Sequence, residues 1–140
     1  MEIVEPAPKE QYPFLTPFER DEATKYDLYF VGQRRVNSLK DFTGADCEAK
    51  IVGGDAVAYR YEVVSSLGRG SFGQVFKAYD HKKRESVALK VIRNEPKFNK
   101  QAKVEIKILE TVIMSDPKFK SNIVQLKHAF FFRGHACLVF

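Results

Sequence analysis

The 140-residue chain has little cysteine, only two residues, and no apolar run approaching the roughly 20 residues that a membrane-crossing helix needs. The missing run excludes a bilayer-spanning helix, and no membrane partner is expected. Cys47 and Cys137 stand far apart and match no metal-ligand spacing, so two reduced thiols in a cytoplasmic and/or nuclear protein are expected. The amino terminus, MEIVEPAPKEQYPF, lacks a basic stretch followed by an apolar core, which argues against a secretory leader. Repeats and low-complexity tracts are also missing. What remains is ordinary globular material, 44% hydrophobic and 29% charged, enough for one domain.

The net charge of +5 is unevenly spread. Residues 1–60 hold eight Lys/Arg against eleven Asp/Glu, a balance of −3, and residues 61–140 hold fifteen against seven, a balance of +8. A basic half attracts nucleic acid or a small polyanion. Its lysines are scattered singly, without dense runs or an interleaved aromatic platform, so nucleic acid is not expected as a partner.

Residues 1–60 read as a mostly irregular extension. They carry Pro6, Pro8, Pro13, Pro17 and Gly53-Gly54 with weak periodicity. Two aromatic-rich clusters, PFLTPF (13–18) and YDLYFVG (26–32), are too apolar for a linker and are expected to dock on the domain formed by the rest of the chain. From about residue 60 the texture changes. YRYEVVSSL, QVFKAYD, VALKVI, NIVQLKHAFFF and HACLVF read as five strands. NKQAKVEIKILETVIM has helical period, with Asn99 a candidate N-cap. The expected fold class is α+β: a five-stranded antiparallel sheet carrying one helix over residues 61–140.

The stretch LGRGSFGQV, Leu67 to Val75, places three glycines in a G-x-G-x-x-G string, weak evidence taken alone. A strand follows it and not a helix, which excludes the dinucleotide-binding crossover. A glycine-rich β-hairpin remains. Downstream, Lys90 is the one charge on either face of the apolar strand VALKVI. On the helix, Ala102, Ile106, Leu109 and Ile113 form a narrow apolar stripe, and Lys100, Lys103 and Lys107 lie opposite with Glu110 beside them. Glu105 sits on the flank of the stripe, near Val112. Taken singly, a snorkelling lysine and a glutamate at a wet boundary explain each charge as well. Taken with the hairpin, a strand lysine held by a helix carboxylate is placed to reach phosphates beneath the glycines.

Leu67-Gly68-Arg69-Gly70-Ser71-Phe72-Gly73-Gln74-Val75 resembles the glycine-rich loop of protein kinases. Val87-Ala88-Leu89-Lys90 resembles their lysine motif, and Glu105 falls where their helix glutamate stands. AYRYEV, KAYDHK, VALKVIRNE, FNKQAKVEIKILE and CLVF, with LTPFE and YFVG upstream, are similar to the dual-specificity tyrosine-regulated kinases of the second class. The resemblance covers roughly residues 12–140 and implies an incomplete kinase amino-terminal lobe. It implies that Gly68, Gly70 and Gly73, with Arg69, Ser71, Phe72 and Gln74 completing the loop, cover the phosphates of ATP. It implies that Leu67, Val75 and Ala88 sandwich the adenine, that Lys90 contacts the phosphates and is held by Glu105, and that Phe140 guards the back of the pocket. Phosphorylation of Ser and Thr in protein substrates is implied, as is tyrosine autophosphorylation assisted by the segments around Thr16 and Tyr29.

One departure is the acidic box expected ahead of the domain, which is reduced to Asp41, Asp46 and Glu48. Neither an H-R-D catalytic loop nor a D-F-G motif occurs in the chain. The ligands for Mg2+ are therefore expected in a missing carboxy-terminal lobe, itself an expected partner, and the chain alone is expected to be inactive. A non-catalytic regulatory fragment that binds nucleotide or a kinase partner through the same surface is the alternative.

Overall fold

The computed structural model describes residues 4–8, 14–115 and 126–140, the side chains of 112–115 excepted. Helix α1 (Pro17–Ala23) and a 3-10 turn (Leu39–Asp41) precede strands β1 (Ala56–Val57), β2 (Tyr61–Gly70), β3 (Gly73–Asp80) and β4 (Glu85–Ile92). Helix α2 (Pro96–Ser115) then leads to β5 (His128–Phe132) and β6 (His135–Val139). The strands form one antiparallel sheet in the order β1-β2-β3-β4-β6-β5. The five expected strands are present, and the extension adds a sixth, the two-residue β1, at the edge. The strand expected over NIVQLKHAFFF begins at His128; its residues 122–125 lie outside the described residues.

Asn99 is not the cap of α2. The helix opens three residues earlier at Pro96, where a fixed φ and a missing N–H suit the first position. The Asn99 backbone N–H already bonds to Glu95 O at 2.9 Å, and its side-chain amide donates to Asn94 Oδ1 at 3.0 Å.

Register divides the sheet into two faces. Phe76 stands opposite Leu89, Ala78 opposite Val87, and Val139 opposite Leu89, so these side chains share one side with Tyr61, Val63, Val91 and Cys137. The extension covers this side: Ala23, Leu28, Phe42, Ala49, Ile51 and Tyr59 belong to the same buried cluster. On the other side Lys90 faces Val75 and Leu138 across the ladder. There Ile92, Ala136 and Leu138 pack with Ala102, Phe98 and Ile106 of α2. β4 is thus sealed on its Val87-Leu89-Val91 side, while Ala88 and Lys90 stay half-exposed.

Both aromatic-rich clusters dock. In the first, Leu15 is buried, and Thr16 opens α1 with a capping box: Glu19 N donates to Thr16 Oγ1 at 3.1 Å and Thr16 N to Glu19 Oε1 at 3.0 Å. The Thr16 hydroxyl also donates to Val36 O at 2.5 Å. In the second, Leu28 is buried, Tyr29 and Phe30 N–H groups share Tyr59 O, and the Phe30 ring stacks on His81 at 4.4 Å.

The β5–β6 hairpin supplies the strongest clamp. Its two turn residues, Arg133 and Gly134, have φ of 52° and 84°, the geometry a two-residue hairpin requires. Arg133 is buried against the Phe132 ring, 4.4 Å from its centroid, and donates to both oxygens of Glu22 on α1 at 2.7–3.1 Å. Tyr59 Oη donates to the same carboxylate at 2.8 Å. Next along the chain His135 is fully buried. Its Nδ1 must carry the proton, because its partner at 2.7 Å is the Ile92 carbonyl. Nε2 therefore accepts from the Thr43 hydroxyl at 2.7 Å, tying the extension to β6.

Candidate functional site

The glycine-rich hairpin is the β2–β3 connection, with Gly70 opposite Gly73 and Ser71-Phe72 as its two-residue turn. Register shifts between Val63 and Ser65 and between Ser66 and Gly68 bend β2 on its way there. Its glycines have different causes. A Cβ on Gly73, whose φ is +144°, would lie 2.2 Å from Val91 O, and one on Gly70 would lie 2.6 Å from the Phe72 ring. The fold demands glycine at Gly73, where the clash is with backbone at a left-handed φ; at Gly70 the close neighbour is only the Phe72 side chain, which a rotation moves aside. A Cβ on Gly68 would meet nothing within 4 Å. Internal packing leaves the third glycine unexplained, and bare backbone above open space suits a ligand lying against it.

Beneath the hairpin, β3 and β4 present Val75, Ala88 and Lys90 on the open face, with Leu67 exposed beside them. Phe140 extends this strip: its N–H and C=O pair with Ala88 at 2.9 and 3.0 Å. Val75, Ala88, Lys90 and Phe140 are therefore gathered as one surface, while Leu67, in the register shift between Ser66 and Gly68, is exposed at the hairpin without a ladder partner. A cavity of about 160 Å³ under the extension is lined by Glu19, Arg34, Arg35, Phe42 and Arg133 among others.

Lys90 and Glu105 are not brought together. Among the described residues no ion pair joins them. The Lys90 ammonium instead lies 4.6 Å from the centroid of the Phe72 ring, an electrostatic contact with the ring face. Glu105 is exposed and accepts from Gln101 Nε2 at 3.1 Å, one helical turn away on its own helix. The physical reason lies in how α2 is seated. Among the described side chains of the helix, buried Ala102 and half-buried Phe98 and Ile106 are its anchors on the sheet. Val104 and Ile108 are left exposed, and the flank carrying Glu105 faces water. The expectation of a closed pair is corrected on this point.

Arg69 and Gln74 also differ from the loop residues around them. They stand opposite each other in the ladder, and both side chains reach the extension. Arg69 forms an ion pair with buried Glu48, and Gln74 Nε2 donates to Ala49 O at 2.9 Å. Only their backbone is free to face the open side. In the sequence, Glu48 and Asp46 read only as remnants of a degenerate acidic box, and this contact is missed. Alternation places Arg69 and Gln74 together, but nothing local names their partner.

The sequence is similar to those of known proteins. Residues 61–140 match the protein kinase domain model. The probable serine/threonine-protein kinase dyrk2 of Dictyostelium discoideum is 45% identical over 134 residues, 90% of this chain and 15% of that protein. The DYRK-family kinase pom1 of Schizosaccharomyces pombe is 45% identical over 136 residues, 89% of this chain and 12% of that protein. Human dual specificity tyrosine-phosphorylation-regulated kinase 4 is 42% identical over 136 residues, 90% of this chain and 26% of that protein. The chain belongs to the protein kinase family and, within it, corresponds to the amino-terminal region of the DYRK kinases. It spans between 12% and 26% of the length of these three relatives.

Proposed function

We propose that this chain forms the ATP-covering half of a dual-specificity protein kinase, with residues 1–60 as an accessory extension and 61–140 as the amino-terminal lobe. The observation that carries the reading is Gly68: a bare backbone position over open space, above a face whose charge is Lys90. Bound ATP supplies the phosphoryl group. Gly68, Gly70 and Gly73 offer unshielded backbone to its phosphates. Lys90 offers a fixed cation, and Leu67, Val75, Ala88 and Phe140 offer apolar contact to the base. Glu105 holds Lys90 only after the Phe72 ring withdraws and α2 turns inward.

Neither H-R-D nor D-F-G occurs in the sequence, and no cluster of three or more His, Cys, Asp or Glu suited to a metal occurs among the described residues. On this reading the general base and the magnesium ligands of phosphoryl transfer would come from a carboxy-terminal lobe. Ser and Thr of protein substrates would accept the phosphoryl group, and an activation-loop tyrosine would be autophosphorylated. The open Lys90–Glu105 pair favours a second reading, a regulatory fragment that docks on a kinase partner without catalysis.

In the full-length protein, Lys90→Met should abolish phosphate incorporation into protein substrate while circular dichroism and melting stay unchanged. Unaltered turnover in that variant would remove Lys90 from the mechanism.

A further inference from the structure

The hairpin is held from behind. The segment Gly44–Lys50 of the extension forms a self-braced strap: Gly44 N–H bonds to Glu48 O at 2.9 Å, Cys47 N–H to Gly44 O at 3.0 Å, and Glu48 N–H to Asp46 Oδ1 at 3.1 Å. Cys47 adopts φ +65° to make the turn. Alternation along β2 and β3 then fixes which side of the hairpin the strap covers. Val75 shares a side with Lys90, so Gln74 and its cross-strand neighbour Arg69 point the opposite way. Both are taken up by the strap through the Arg69–Glu48 ion pair and the Gln74–Ala49 hydrogen bond.

A second arginine ties the hairpin tip to the same strap. Arg93, just past β4, donates through Nε and Nη2 to Asp46 O at 3.2 and 2.6 Å, and through Nη1 to Ser71 O in the hairpin turn at 3.4 Å. Asn94 N–H bonds to Cys47 O at 2.8 Å. The charged contacts are asymmetric. The Glu48 side chain is 9% exposed and that of Arg69 64%, while Asp46 Oδ2 stands further from Arg69 at 3.8 Å. A carboxylate so far from water needs its partner, whereas the arginine does not.

We propose that this strap sets the height of the glycine-rich hairpin above Lys90, with Glu48 and Arg69 as the coupled positioning residues. Two of the three acids left in the degenerate acidic box, Asp46 and Glu48, act on the nucleotide lid from its far side and touch no nucleotide themselves. The consequence for nucleotide rests on the kinase reading given above; the coupling between strap and hairpin does not.

Backbone hydrogen exchange at residues 68–73 of the intact chain tests the coupling without nucleotide. Glu48→Gln and Arg69→Gln should each speed exchange there by about two- to fivefold, the range for losing one partly exposed ion pair. The double variant should be no faster than the faster single, and the swap of Glu48→Arg with Arg69→Glu should recover most of the protection. If Arg69→Gln, which strands the buried Glu48 carboxylate, loosens the whole extension, Glu48→Gln decides, because it removes the buried charge and leaves only an exposed arginine unpaired. Unchanged exchange in Glu48→Gln, or additive effects in the double variant, would overturn the proposal. In the full-length protein, Arg69→Gln should raise KM for ATP by a similar factor with kcat changed less, and Arg69→Lys should restore it. Coupled exchange without any ATP effect leaves the strap in place and counts against the kinase reading instead.

Discussion

The ammonium of Lys90 lies 4.6 Å from the centre of the Phe72 ring, not beside the carboxylate of Glu105. The turn residue of the glycine-rich hairpin is thus the group that occupies the strand lysine. On the reading proposed above, closure of a nucleotide site exchanges this ring for an anion, and the helix glutamate travels from water to reach it.

Glu105→Gln separates the two states. Because Glu105 is exposed and, among the described residues, bonds to Gln101 on its own helix alone, the substitution should change the stability of the 140-residue chain by no more than about 0.5 kcal/mol. In the full-length kinase it should lower phosphate transfer severely. Thermal melting of the first and a substrate-labelling assay of the second make the comparison. A large stability loss in the short chain would mean that the pair is already closed there.

The two outer glycines of the hairpin should respond in opposite ways. Gly73→Ala places a methyl group against Val91 O at a φ that side chains rarely adopt, and should cost about 2 kcal/mol or more. Gly68→Ala has open space and gains from a stiffer unfolded chain, so its stability should be equal or up to about 1 kcal/mol higher, while affinity for ATP falls. Urea unfolding reads the first quantity, and nucleotide titration reads the second.

Arg133 and Glu22 should behave as a buried pair. Their side chains are 5% and 12% exposed, and breaking the pair by Arg133→Met or Glu22→Gln should cost about 3–5 kcal/mol. The loss falls on the contact between α1 and the β5–β6 turn, so limited proteolysis should cut first within residues 14–36. Combining the two substitutions should restore part of the stability, since no lone charge remains buried.

Acid should weaken the same docking. Burial holds the pKa of His135 below its ordinary 6.5, only partly offset by its hydrogen bond to Ile92 O, and burial likewise lowers that of His128. The unfolded chain binds these protons first, so stability falls as pH drops through about 6.5 and levels off below the folded-state values. His135→Asn should flatten the dependence of the urea midpoint on pH between 5 and 7. An equally steep profile in that variant would show that His135 does not report on folding.

Much of this was legible in the residues themselves. Period-two alternation in QVFKAYD and VALKVI marked the central strands, and the strand after the glycines identified a hairpin. Aromatic density in YDLYFVG signalled docking, as Leu28 and Phe30 now show. The rest depends on distance along the chain. Glu22 and Arg133 are 111 residues apart, and Glu48 lies 21 residues before Arg69, so no local pattern links them. Glu105 was legible in position but not in partner. A helical wheel gives the flank it occupies; the seating of α2 on Ala102, Phe98 and Ile106 decides which way that flank faces.

The most direct measurement is an NMR titration of the 140-residue chain with ATP, following backbone amides. A nucleotide site under the hairpin gives saturable shifts at Gly68, Gly70, Gly73, Ala88 and Lys90, and these vanish in Lys90→Met. Shifts confined to the extension, or shifts at the glycines that survive loss of the Lys90 charge, would contradict it.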